Sequence, residues 1–268
     1  MRFKIMAYIE SIYRSIVPLL PERLRPYLYF IVGLRKYIPG TSSYKKRVWV
    51  RGVYHKLHDD QRSDMMVGAI MMMWTNRPVI GNYFEFGSHS GITMRMAYDN
   101  FSHLYPNMKF VSFDSFEGLP EIQDIDKMEI FHPGANKTSL EKFKKIIKSH
   151  GIPNRKIIIV KGFFEESLNE ETKNSLLPEK AAFIYIDVDI YSATKEALVF
   201  CRDFLQPGTI IMFGGWNCFY GDPDRGQRRA FREFRDDNPD LQFSDFAATY
   251  SLKLFTFVKQ CAGGAEAE

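Results

Sequence analysis

The chain has 268 residues, 45% hydrophobic and 25% charged, which are ordinary values for a soluble globular protein of one large domain with an extension. Its three cysteines, Cys201, Cys218 and Cys261, lie far apart without a CxxC or a nearby histidine cluster, which excludes a disulfide framework or a zinc site and fits a reducing cytoplasm. The net charge of +4 is unevenly spread: residues 1–60 hold twelve Lys/Arg against four Asp/Glu, and the rest twenty-four against twenty-eight.

The chain opens with two Pro- and Gly-bounded segments over roughly 1–40 and a polar, basic stretch over 41–60. Glu10 interrupts the first apolar stretch and no small-residue cleavage site follows, so no signal peptide is predicted. The longest apolar runs, Tyr27–Leu34 and Met65–Trp74, are far short of the roughly 18–20 residues that span a membrane. Arg14, Arg23, Arg25, Arg35 and Lys36, interleaved with Leu19, Leu20, Tyr27, Tyr29 and Phe30, suit either a peripheral membrane contact or a helical lid or dimer arm of a homo-oligomer. The plainer lid or dimer arm is preferred. The basic residues form no recognised nucleic-acid motif.

Met65, Met66, Ile70, Met73 and Trp74 fall near helical spacing and predict a helix over 61–75 whose methionines are adaptable core. From residue 81 the pattern becomes strand, glycine turn, helix, repeated. Strands are predicted at Tyr83–Phe86, Lys109–Phe113, Ile157–Val160, Ala182–Ile186 and Thr209–Phe213, and helices at Ile92–Phe101, Ser139–His150, Thr194–Phe204 and from Arg228. Near-continuous apolar strands between amphipathic helices imply an α/β, doubly wound, mostly parallel sheet covered on both faces. Phe243–Ala247 and Leu252–Val258 leave no room for a helix between them, so they predict an antiparallel edge hairpin and bring the count to seven strands. The division expected is an arm at 1–60, a ligand-binding domain at 61–260 and a disordered Gly/Ala/Glu tail at 261–268.

In such a sheet the ligand binds beyond the carboxyl ends of the strands, at the switch point. At the first strand end, Tyr83–Gly91 reads Tyr-Phe-Glu-Phe-Gly-Ser-His-Ser-Gly. Gly87 and Gly91 flank a turn that a ligand can approach closely, and Glu85 inside the strand calls for a cationic or multiply donating ligand end such as an ammonium. The turn is not GxGxxG, which counts against NAD. Asp114 ends the second strand 23 residues after Gly91, the place and spacing of a carboxylate that binds adenosine ribose hydroxyls. At the fourth strand end, Asp187 and Asp189 could bind metal or serve as a base, or one of them could cap the following helix. Each feature also has an ordinary structural reading; Glu85 bonded to nearby backbone and a turn-capping Asp114 are the plain ones.

Four boxes in order carry a resemblance: Phe113–Pro120 to "DSFEGLP", Val160–Leu168 to "VKGxFxxTL", Asp187–Thr194 to "DGDxYxST" and Pro207–Trp216 to "PGGxxxxDDY". Over about 80–260 the chain resembles the macrocin/mycinamicin/novobiocin type of sugar O-methyltransferase. The resemblance implies a Rossmann-like class I fold that binds S-adenosylmethionine (SAM) and methylates a hydroxyl of a sugar, glycan or glycosylated metabolite. It places Glu85, Gly87, Ser88, His89, Ser90 and Gly91 around the methionine end, Asp114 at the ribose, Ser115 and Phe116 by the adenine, and Gly162, Phe163 and Phe164 on its other side. It makes Asp187 a magnesium ligand and the base for the acceptor hydroxyl, with Asp189 structural and His89 and His132 as less favoured bases. The family's paired aspartates after the fifth strand would fall at Gly214 and Gly215, so no metal ligand set is predicted here; Asn217, Asp222 and Asp224 are the nearest substitutes. The rivals are a SAM-binding protein without catalysis, suggested by Gly214 and Gly215, and a glycosyltransferase using Asp187-Val-Asp189 as its DxD.

Overall fold

The computed structural model describes residues 42–261 together with 21–24, 27, 34–37 and 39; the expectations for most of the arm and for the tail beyond Cys261 lie outside the described residues. The chain divides into two compact units, Met1–Asp60 and Gln61–Glu268. In the first, Arg47 lies over the Tyr37 ring at 4.5 Å, and Lys56 pairs with Asp60 at 2.6 Å. The helix α1, Ser42–Thr75, contributes to both units. It begins at Ser42 rather than near 61, because the basic stretch read as polar chain is an uninterrupted run without proline. No helix among the described residues is long and apolar enough to cross a membrane.

The second unit is a sheet of seven strands: β1 Asn82–Phe86, β2 Phe110–Asp114, β3 Ile157–Lys161, β4 Ala181–Ile186, β5 Ile210–Phe213, β6 Leu241–Ala248 and β7 Lys253–Gln260. Their spatial order is β3-β2-β1-β4-β5-β7-β6. The first five strands run parallel; β7 lies antiparallel to β5 and to β6. The chain winds outward through β2 and β3, then returns to place β4 on the other side of β1. That reversal puts the switch point between β1 and β4.

Period-two alternation sends side chains of the central strands to two cores. Phe84, Phe86, Phe113, Ile184, Ile186 and Phe213 pack toward helices α6 (Tyr191–Cys201) and α7 (Gly226–Asp237). Tyr83, Phe110, Phe183, Tyr185 and Met212 pack toward α2 (Ile92–Phe101) and α3 (Leu140–Ser149), together with Met66, Ile70 and Met73 of α1. The methionine stripe is core, whereas Trp74 at its end is 49% exposed.

Helix boundaries moved beyond that of α1 as well, and two short helices carry no sequence signal. α6 starts at Tyr191, three residues before Thr194, and its last part tightens into a turn at Arg202–Phe204. Between β3 and β4 the chain forms α4, Phe164–Ser167, and α5, Glu170–Leu176, the latter capped by Asn169 accepting from the Thr172 amide at 2.9 Å. Neither has enough apolar periodicity to announce itself in sequence.

Candidate active site

The carboxyl ends of β1, β2, β4 and β5 lie side by side at one edge of the sheet, each delivering one short segment to a common site. Among the described residues seven non-glycine positions have positive φ, and five of them follow these strand ends: His89, Phe116, Asp189, Phe219 and Tyr220. Local backbone strain of this kind persists where the surroundings impose it, and it clusters at functional sites.

Glu85 is fully buried in β1, on the same face as Tyr83 and opposite Tyr185 of β4. Its Oε2 accepts from the Tyr83 hydroxyl at 2.6 Å, while its Oε1 has no hydrogen-bond partner. Burial pushes its pKa up to about 8; the charge of Asp187 adds to this, and the Tyr83 hydroxyl and Arg62 work against it. A buried carboxyl oxygen without a donor suits a ligand that brings one. Gly87 follows with φ 86, and a Cβ there would sit 2.5 Å from the Asp187 carbonyl oxygen. The glycine therefore serves β1–β4 approach as well as the turn. At Gly91, also left-handed, a Cβ would press on the Phe143 ring of α3 at 3.0 Å. Its absence of side chain is used by helix packing.

Asp114 ends β2. One oxygen accepts from the Phe116 amide at 2.6 Å, and the other from the His89 amide at 2.8 Å, so the carboxylate ties the β1 turn to the β2 loop. Ser88 and Ser112 make a second tie through their hydroxyls at 2.8 Å. The Asp-Ser-Phe-Glu-Gly segment is largely a self-supporting turn: the Ser115 hydroxyl donates to the Gly118 carbonyl at 2.9 Å and accepts from the Glu117 amide at 3.1 Å. Phe116 is buried with its ring 5.2 Å from that of Phe143. The His89 ring bonds Thr138 at 2.9 Å, and His132 stands exposed on a loop beside an open cavity of about 490 Å³ lined by Ile122, Met128 and Phe131. At the end of β3, Gly162 has φ 147, Phe163 is half-buried, and Phe164 packs edge-on to Phe86 at 5.7 Å. Ser90 is half-buried in the turn between β1 and α2.

At the β4 end the structure adds a residue that sequence reasoning missed. Arg62 of α1 donates to Asp187 Oδ2 and to the Tyr185 hydroxyl, both at 3.1 Å. Both members of the ion pair are largely buried. Asp189 is half-buried against Cys218, whose thiol points at its Oδ1 at 3.5 Å; desolvation raises the Asp189 pKa, with the Asp187 charge adding to it. The glycines after β5 lie directly against these two carboxylates. A Cβ at 214 would overlap Asp187 Oδ1, and one at 215 would sit 2.7 Å from Asp189 Oδ1.

Neither aspartate caps α6, contrary to one of the sequence options. That task belongs to Asp126, fully buried, which accepts from the Tyr191 amide at 2.6 Å and from the Ser192 amide and hydroxyl at 3.2 and 2.7 Å. Of the suggested substitute ligands, Asn217 bonds Arg228 at 2.5 Å and the Tyr250 carbonyl at 2.6 Å, while Asp222 accepts from the Asp224 amide at 2.9 Å. Among the described residues no three His, Cys, Asp or Glu side chains are grouped so as to hold a metal ion.

The likenesses to known proteins agree with this arrangement. No curated protein matches the chain. The solved O-methyltransferase NovP superposes with a TM-score of 0.58 at 16% identity, covering 74% of this chain and 80% of NovP. CalS11, a calicheamicin methyltransferase, superposes with a TM-score of 0.56 at 17% identity, covering 92% of this chain and 90% of its own. At such identities the likeness shows the fold. The model of the macrocin O-methyltransferase (TylF) family matches residues 53–251, from α1 to the hairpin, and the chain belongs to that family of SAM-dependent O-methyltransferases.

Proposed function

We propose that this cleft transfers the methyl group of SAM to a hydroxyl oxygen of a sugar, free or carried on a nucleotide or a larger metabolite. The observation that carries the reading is the pairing of Asp114 at the β2 end with Glu85 and its unpartnered Oε1 at the β1 end, on either side of a glycine turn. The residues fit the cofactor. Asp114 keeps lone pairs for ribose hydroxyls, the buried Glu85 oxygen suits an ammonium donor, and Gly162 to Phe164 border the same end of the sheet. Support for a sugar acceptor comes from the family and from CalS11, described as a TDP-rhamnose 3'-O-methyltransferase.

SAM supplies an electrophilic methyl on a sulfonium, so the protein's work is alignment, exclusion of water and removal of one proton. Asp187, beside the ends of β1 and β5, is read as the group for that last task. With SAM held by Glu85 and Asp114, its methyl would pass to the acceptor oxygen, and the Asp187 carboxylate would take the hydroxyl proton. The arm at 1–60 is read as a lid or subunit contact, its exposed Trp49, Val53 and Tyr54 suiting a partner surface better than water. The test is transfer of labelled methyl from SAM to hexoses and 6-deoxyhexoses, free and nucleotide-linked. Product with at least one acceptor, lost in Asp187→Asn, is expected. SAM binding without product on any acceptor would favour a protein without catalysis.

A further inference from the structure

The resembled family holds a magnesium ion on three carboxylates, and the residues present here do not fit that ion. Of the three positions only Asp187 is a carboxylate, and its Oδ2 is already held by a guanidinium 3.1 Å away. The glycines are not vacated ligand positions, because the space a side chain would need at 214 is filled by the Asp187 carboxylate, and at 215 by that of Asp189. We propose that Arg62 takes the place of the divalent cation, so that the centre is metal-independent and Asp187 is oriented by a guanidinium.

Three observations carry this. Among the described residues Arg62 faces the cluster: it donates both to Tyr185, near the end of β4, and to Asp187, one residue past that end, so that one guanidinium bridges the two. The planar guanidinium spans two acceptors in a fixed fork, an arrangement that a hydrated magnesium ion with its octahedral shell does not share. The burial of the pair matters as well. Asp187, Asp189 and Glu85 place three carboxyls near one another at the ends of β1 and β4, where a fixed positive charge offsets their mutual repulsion. Gly214 and Gly215 follow from this: with an arginine as counter-ion, the carboxylates draw in against β5, and only glycine leaves them room. Arg62 is thus a positioning residue that acts through Asp187.

The inference rests on the reading of this cleft as the methyl-transfer site, and the experiment separates the two. Manganese, followed by the electron paramagnetic resonance of the free ion, is titrated into the full-length protein and its Arg62→Met, Arg62→Lys and Arg62→Met/Asp187→Asn variants. S-adenosylhomocysteine (SAH) binding is measured on the same samples. The wild type and Arg62→Lys are expected to leave the free signal unchanged. Arg62→Met, which unmasks the carboxylates, is expected to bind manganese at least about tenfold more tightly, and the double variant to lose that gain. If Arg62→Met does not fold, Arg62→Gln, which removes the charge and keeps a donor for Tyr185, carries the same expectation. Stoichiometric micromolar binding by the wild type, or no gain on removing the charge, overturns the role of Arg62 even if SAH binds. Absence of SAH binding overturns the cofactor reading instead, whatever manganese does.

Discussion

Glu85 carries a pH signature that can be read without any substrate. Its carboxyl ionises near pH 4.5 in the unfolded chain and near 8 in the fold. A group raised in this way contributes stability that is fully present below the lower value and is lost as pH rises through the upper one, and a shift of this size is worth a few kcal/mol. Glu85→Gln keeps an acceptor for Tyr83 and does not titrate. The melting temperature of the variant relative to wild type should therefore rise between pH 5 and pH 8.5; a constant difference would mean that Glu85 is ionised throughout. Asp114 makes a second prediction. Asp114→Ala should weaken SAH by about 1.5–3 kcal/mol in calorimetry, through loss of charge-assisted hydrogen bonds. Unchanged affinity would remove it from the ribose site. The sequence already puts Glu85 inside the first strand and Asp114 at the end of the second, where the structure has them. Arg62 was not, since its partner lies 125 residues away and nothing local marks one arginine of a basic helix. The meaning of Gly214 and Gly215 was hidden for the same reason: sequence shows which ligand is missing, and only packing shows what fills its place.

Among the elements, α6 depends on a residue that no helix signal reveals. Its preceding residue, Ile190, offers no side-chain cap, and Asp126 supplies one from 65 residues upstream. That is why the sequence alone starts this helix at Thr194 and offers a local aspartate as its cap. Asp126→Ala removes three hydrogen bonds and a negative charge from the positive end of the helix. It should destabilise the protein by about 2–4 kcal/mol in urea unfolding. A loss under about 0.5 kcal/mol would show that the loop relaxes and another group takes over. The five parallel strands, by contrast, are readable to within about a residue, because buried parallel strands need apolar side chains on both faces and the chain offers few other runs of that kind. The hairpin β6–β7 was legible from spacing alone, since Ala248 and Lys253 are too close to admit a helix.

At the scale of the whole molecule, the basic composition of residues 1–60 and the exposed side chains Trp49, Val53 and Tyr54 set the arm apart from the catalytic body. Deleting residues 1–40 should leave SAH affinity within about twofold of the full chain, because Glu85, Asp114 and their partners belong to the second unit. The same deletion should alter acceptor turnover or the mass in light scattering. If both properties matched those of the intact protein, the arm would have no part in acceptor or subunit contact. Whether the β1–β2 end is a SAM site is decided by calorimetry of the full-length protein with SAH, NAD and a UDP-sugar. Micromolar SAH binding at one site per chain is expected, with no heat from the other two. Silence with SAH, together with binding of NAD or the nucleotide sugar, would contradict it.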